Sequence, residues 1–202
     1  MEKYILGFIF TTINVNSYMT IAASIQVIDP GNQGYPPALK DRLGDDAPDN
    51  IWYIGNIQLL KIPKTALFCS KICPGEAILQ AITKAQEWRD NGRCIISGFH
   101  SPVEKECLKI LLRGMQPIII CPARSIEKMR ISKEWIEGIE SGHILIISPF
   151  NYTKHRLTEK QSEERNELVA ALADEIYFAH ISKGSNTEKL NETISSWGLK
   201  LI

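Results

Sequence analysis

Arg93-Cys-Ile-Ile-Ser-Gly98, then Ser101-Pro-Val-Glu104, then Gln116-Pro-Ile-Ile-Ile-Cys-Pro122 are the segments that decide the fold of this chain. The first is a short apolar run that breaks at Ser-Gly. The second opens an amphipathic segment that stops at Gly114, and the third is another apolar run. Strand, loop, helix, strand is one βαβ unit, whose two strands must lie parallel. Both runs are nearly continuous in apolar residues instead of alternating, as strands covered by helices on both faces are. Ligands of such sheets bind beyond the carboxyl ends of the strands, so residues 97–101 and 122–133 are where function is sought.

Working outward, the same alternation repeats. Thr65-Ala-Leu-Phe-Cys69 reads as a strand. The helix after it has Pro74 at its start, Ile78, Ala81, Ile82, Ala85 and Trp88 on one face, and Asn91-Gly92 at its end. Ser101-x-x-Glu104 and Thr158-x-x-Gln161 are capping boxes that open two further helices. His143-Ile-Leu-Ile-Ile-Ser-Pro149 and Asp174-Glu-Ile-Tyr-Phe-Ala-His180 read as strands. A last helix carries Leu190, Ile194 and Trp197, and residues 199–202 begin one more strand. Upstream, residues 25–28 and 51–54 read as strands around a short helix after Pro36-Pro37 and an acidic turn at 44–50. The expectation is an α/β, doubly wound, mostly parallel sheet with helices on both faces. Residues 1–60 form an extension and lead-in, and 61–202 form the main domain.

With 202 residues, 44% hydrophobic and 23% charged, the composition is that of an ordinary globular protein. No apolar run approaches the roughly 20 residues of a membrane span. The apolar start Tyr4-Ile-Leu-Gly-Phe-Ile-Phe10 lacks a cleavage site and reads as a buried strand or an extension. Five scattered cysteines, three of them inside apolar runs, suit reduced thiols in a cytoplasmic protein. The net charge of zero hides an asymmetry. Lys+Arg against Asp+Glu is 3 to 6 over residues 1–60, 13 to 6 over 61–133, and 7 to 11 over 134–202. A basic middle in a neutral whole suits a local anionic partner, and equally suits lysines spread over solvated helix faces.

One residue breaks its pattern. On the helix after Thr158, the stripe through Leu172, Val169 and Leu168 continues to Arg165. An arginine on an inward stripe is costly unless it meets solvent or an anion. It is therefore expected to enter the ligand crevice, with Asn166 beside it; the alternative is a structural arginine on a loop carbonyl or carboxylate. Lys71, His100, Arg124 and Lys183 follow strand ends, and helix amino termini at Pro74, Ser101 and Asn186 add N–H groups suited to phosphate. Glu104 and Glu188 are accounted for by capping. There is no G-x-G-x-x-G fingerprint and no Walker loop. Cys69 and Cys73 with His100 lack the spacing of a zinc site, and no carboxylate pair stands out. The reading calls for no cofactor and no catalytic group.

Tyr35-Pro36 with Leu39, Pro48, Trp52-Tyr-Ile-Gly55, Ser70-Lys71, Ser97-Gly98, and Arg165-Asn166 followed by Ala170-Ala-Leu-Ala-Asp174 together resemble the DNA-processing protein A (Smf) family of bacterial recombination mediators. The resemblance spans about residues 35–197. It implies a Rossmann-like domain that binds single-stranded DNA through a basic pocket, dimerises, and helps load the RecA recombinase in transformation or repair. Lys71 stands where the family has an arginine, and His100-Ser-Pro-Val-Glu104 replaces its Ala-Arg-Gly-Ile-Asp. The basic segment 124–133 replaces a tyrosine-proline, and the helical and winged-helix domains of longer members have no counterpart in these residues. On this reading Lys71, Ser97, Gly98, His100, Arg124, Arg130, Lys133, Arg165, Asn166 and Lys183 form the phosphate-binding set, with Phe99 either a stacking surface or core. The alternatives are a nucleotide sensor or phosphoribohydrolase-like enzyme, whose Pro-Gly-Gly loop is missing, and a scaffold that only docks a partner.

Overall fold

The structure is a computed structural model that describes residues 25–127, 129–151 and 158–202. The apolar start at residues 4–10, most of the loop read at 150–157, and Lys128 of the basic segment lie outside them. Among the described residues eight strands form one sheet: β1 (Gln26–Ile28), β2 (Ile51–Gly55), β3 (Lys64–Cys69), β4 (Cys94–Ser97), β5 (Ile118–Ile120), β6 (Ile144–Ser148), β7 (Glu175–His180) and β8 (Lys200–Leu201). Their spatial order is β1-β2-β6-β5-β4-β3-β7-β8. From β6 to β8 every pairing is parallel, while β1–β2 and β2–β6 are antiparallel. The lead-in strands β1 and β2 thus extend the same sheet that the later strands build.

Among the described residues six α-helices cover it: α1 (Pro37–Leu43), α2 (Gly75–Asp90), α3 (Pro102–Leu111), α4 (Lys133–Glu140), α5 (Glu159–Leu172) and α6 (Asn186–Ile194). The period-2 alternation of the strands sorts them into two layers. Leu67, Ile95, Ile118, Ile120, Ile144 and Ile146 point to the face packed by α2, α3 and α4. Ala66, Phe68, Ile96, Ile119, Leu145 and Ile147 point to the face packed by α1, α5 and α6. Both faces being dry explains the unbroken Ile-rich runs, each isoleucine contributing about 2 kcal/mol on burial. Helix ends follow their sequence signals: both capping boxes close, Ser101 with Glu104 and Thr158 with Gln161. Pro74 is the N-cap of α2, one residue before the position read from sequence. In the lead-in, the Tyr35 hydroxyl donates to the Pro48 carbonyl at 2.8 Å, which ties together two separated residues of the family pattern.

Topology places the site. From β3 the chain winds outward through β4, β5 and β6 with helices on one face. It then returns through α5 to β7 on the other side of β3, with helices on the opposite face. The reversal between β3 and β7 is a switch point, where the outgoing loops diverge and leave a crevice. A register irregularity at Phe68/Cys69 in the β3–β7 ladder sits at its mouth.

Candidate nucleic-acid interface

At that crevice lies a cleft of about 550 Å³. The loop after β3 supplies Ser70, Lys71 and Ile72; the loop after β4 supplies His100 and Ser101. The first turns of α5 supply Thr158, Ser162, Arg165 and Asn166, and the loop after β7 supplies residues 182–187. Arg165 is 5% exposed. Its Nη1 donates to the Cys121 carbonyl at 3.3 Å, and its buried Nε has no partner among the described residues.

Gly98 makes this placement possible. A Cβ at Gly98 would fall 1.3 Å from Arg165 Nη1 and 2.1 Å from its Cζ, so the guanidinium lies directly on the glycine backbone. The turn before and after is held in an unusual conformation. Ser97 Oγ donates to the Leu67 carbonyl and accepts from Phe99 N–H, while Phe99 has φ of +46°, a left-handed value that a bulky residue rarely adopts. Phe99 is buried at 5% exposure and is therefore core, not a stacking surface.

Glu104 does more than cap. Its carboxylate accepts from Cys69 N–H at 2.9 Å, His100 N–H at 2.7 Å and Ser101 N–H at 3.2 Å. It thereby joins the loop after β3 to the loop after β4, and three backbone donors offset the cost of burying the charge. A second set joins the loop after β3 to the loop after β7. Ser70 Oγ accepts from Ser182 N–H at 2.9 Å and lies 3.0 Å from Ser185 Oγ, and Ser182 Oγ donates to the Ile72 carbonyl at 2.9 Å. These serines and the second task of Glu104 were missed by sequence reasoning, because each bond links loops far apart in the chain. Ile72, 80% exposed at the rim, was not singled out either.

Of the ten residues expected at the site, Lys71, His100, Arg165, Asn166 and Lys183 line the cleft. Ser97 and Gly98 support it from below. Arg124, Arg130 and Lys133 are exposed and do not line it. Arg124 is on the same sheet edge, its carbonyl accepting from Ser148 Oγ at the end of β6. Lys133 lies 3.5 Å from Glu137 on α4. The segment between β5 and α4 is irregular, as expected, and is pinned by the buried Ile126 and Ile131.

The chemistry at hand is electrostatic. Lys71 and Lys183 have no ion-pair partner among the described residues. Partial desolvation, then the nearby Arg165 and Lys105, lower the pKa of His100 below its usual value. Burial pushes the thiols of Cys94, Cys107 and Cys121 up to about 12, and that of Cys69 higher still, so these buried cysteines are poor nucleophiles. Among the described residues no cluster of His, Cys, Asp or Glu is arranged to hold a metal ion, and no helix is long and apolar enough to cross a membrane.

The sequence matches the family described as DNA recombination-mediator protein A over residues 26–187. The chain belongs to that family. Two solved structures share its fold. DNA processing protein A from Helicobacter pylori, described for its mode of binding single-stranded DNA, aligns with a TM-score of 0.70 and 24% identity over 88% of this chain and 79% of its own. DNA processing protein A from Streptococcus pneumoniae aligns with a TM-score of 0.66 and 18% identity over 94% of this chain and 75% of its own. No curated protein matches. The Rossmann-like sheet expected from the family resemblance is thus the fold of the chain.

Proposed function

We propose that this chain is a non-enzymatic single-stranded DNA-binding protein of DNA uptake and recombination, and that the cleft between β3 and β7 holds the phosphates. The observation that carries the reading is the convergence of Lys71, Arg165 and Lys183 on one cleft at the switch point, without carboxylate partners among the described residues. Phosphate contacts of this kind give affinity without sequence preference, and Ile72 offers a base an apolar rest. Arg124, Arg130 and Lys133 are assigned as outer backbone contacts beyond the cleft. Family membership and the Helicobacter relative support the ligand; dimerisation and RecA loading belong to the same reading and rest on the family alone. The buried carboxylate of the cleft, Glu104, is taken up by three backbone N–H groups, which supports binding without bond cleavage.

The test is an oligonucleotide titration across a salt series. Three cleft cations releasing counterions from a single strand give a slope of log affinity against log salt of about −2. A salt-independent affinity, or release of free base from a nucleotide, contradicts the proposal.

A further inference from the structure

We propose that Glu104 is an internal anion filling a phosphate seat at the amino terminus of α3, and that it sets what the cleft accepts. Compact phosphates are kept from this seat, and strand phosphates lie outward against Lys71 and Lys183. The outward half rests on the single-strand reading; the seat does not. Three backbone donors from two loops make the seat. Cys69 N–H at the end of β3 donates to Oε1 at 2.9 Å, and His100 N–H and Ser101 N–H donate to Oε2 at 2.7 and 3.2 Å. The bond from Ser101 completes the capping box and is the longest of the three. The two shorter bonds lie outside the box, one of them from a residue 35 positions away. Capping alone does not account for where this carboxylate is held.

Glu104 is 6% exposed and has no ion-pair partner among the described residues. Its charge is met by N–H groups and by the positive end of the α3 dipole, the donors that hold a phosphate at a helix amino terminus. Cys69, His100, Ser101 and Glu104 all line the cleft, so the seat faces the ligand. A phosphate arriving there meets a like charge and donors already in use. Of the helix amino termini that the sequence offers to phosphate, that of α3 is therefore filled from within the chain. Lys71 and Lys183 line the same cleft, are exposed and have no carboxylate partner among the described residues, so they remain for the strand. Cutting the Glu104 side chain back to a methyl returns three N–H donors to the cleft and leaves room for a small anion beside them.

The experiment follows thermal unfolding of the full chain, of Glu104→Ala and of Glu104→Gln in sodium chloride, sodium acetate and sodium phosphate at equal ionic strength. Glu104→Ala is expected to melt below the unaltered chain in chloride and to recover most of the difference in acetate or phosphate, because the anion binds only the folded form. Glu104→Gln removes the charge but keeps the space filled, so it is expected to show no such recovery. By calorimetry Glu104→Ala is expected to bind thymidine monophosphate about tenfold more tightly than the unaltered chain does. Where Glu104→Ala does not fold in chloride, refolding from urea is followed by circular dichroism, and acetate or phosphate is expected to restore the native spectrum. No recovery in either anion overturns the inference. So does an equal recovery of Glu104→Gln, or equal binding of thymidine monophosphate by Glu104→Ala and the unaltered chain. Recovery of Glu104→Ala alone, with no binding of an oligothymidylate by the unaltered chain, overturns the single-strand reading and leaves the seat standing.

Discussion

The two edges of the sheet carry similar numbers of basic side chains and treat them in opposite ways. At the amino edge, Lys64 meets Asp174 at 3.5 Å, and Arg93 donates to Glu175 at 2.7 Å and to Thr65 Oγ1 at 2.8 Å. Lys200 reaches the other oxygen of Glu175 at 3.0 Å, and Arg42 donates to the carbonyls of Ala171 and Ala173. At the carboxyl edge, Lys71 and Lys183 have no carboxylate partner among the described residues, and Arg165 is only partly satisfied. Lys71 and Lys183 are exposed and are solvated at little cost, whereas the buried Arg165 with an unpartnered Nε raises the free energy of the folded chain. The paired edge ties strand ends together; the unpaired edge is the one to which the proposed function assigns the ligand.

The largest effect is expected where the two roles meet. Gly98→Ala places a methyl in the space of the Arg165 guanidinium and forces it off the cleft floor. Single-stranded DNA affinity should fall by about 2 kcal/mol, roughly thirtyfold, measured by anisotropy on protein shown to be folded by circular dichroism. Retained affinity would separate the cleft from binding. Next, Arg93→Ala at the other edge strips Glu175 and Thr65 of a partner. It should cost about 1 kcal/mol of stability in urea unfolding and leave DNA affinity unchanged. A loss of binding there would erase the distinction between the edges. Lys71→Ala should weaken binding several-fold, about 1 kcal/mol, with no change in the urea midpoint.

The smallest effect is in pH. His100 titrates below its ordinary value because of desolvation and the neighbouring Arg165, Lys105 and Lys71, opposed by Glu104. A phosphate beside the ring favours the imidazolium, so binding takes up a proton. Affinity should rise about two- to threefold between about pH 7.5 and about 5.5, and His100→Gln should flatten the rise. Folding runs the other way, since a histidine with a depressed folded value loses stability as pH falls below about 6.5. The two are told apart by following binding and unfolding separately. At the opposite edge, Lys200 and then Arg93 hold the Glu175 carboxyl below its usual range, so its contribution to stability is lost as pH falls below about 4.5, well outside the binding window.

Much of this contrast is legible in the order of the amino acids alone. Continuous runs such as Ile118–Ile120 announce strands covered on both faces, and the capping boxes at Ser101 and Thr158 mark helix starts without reference to anything distant. Arg165 is visible because it interrupts a helical stripe, a local pattern. What stays hidden depends on the path of the chain through space. The antiparallel pairing of β2 with β6 joins Trp52 to Ser148, and no local periodicity encodes a partner so far along the chain. Arg124, Arg130 and Lys133 group with the cleft in sequence because they follow a strand end. Burial of Ile126 and Ile131 instead fixes their segment away from its lining. Gly98 is recognisable as part of a Ser-Gly break, but its use as a bed for Arg165 emerges only when α5 is packed against β4.

The most direct test of the contrast compares salt dependence at the two edges. Single-stranded DNA affinity is measured across a salt series for the unaltered chain, for the double variant Lys71→Ala with Lys183→Ala, and for the double variant Arg93→Ala with Lys200→Ala. In the first variant two phosphates are no longer neutralised, so the slope of log affinity against log salt should shrink by about 1.4. In the second it should stay unchanged. Equal slopes for all three proteins would contradict the assignment of the unpaired edge to nucleic-acid phosphate.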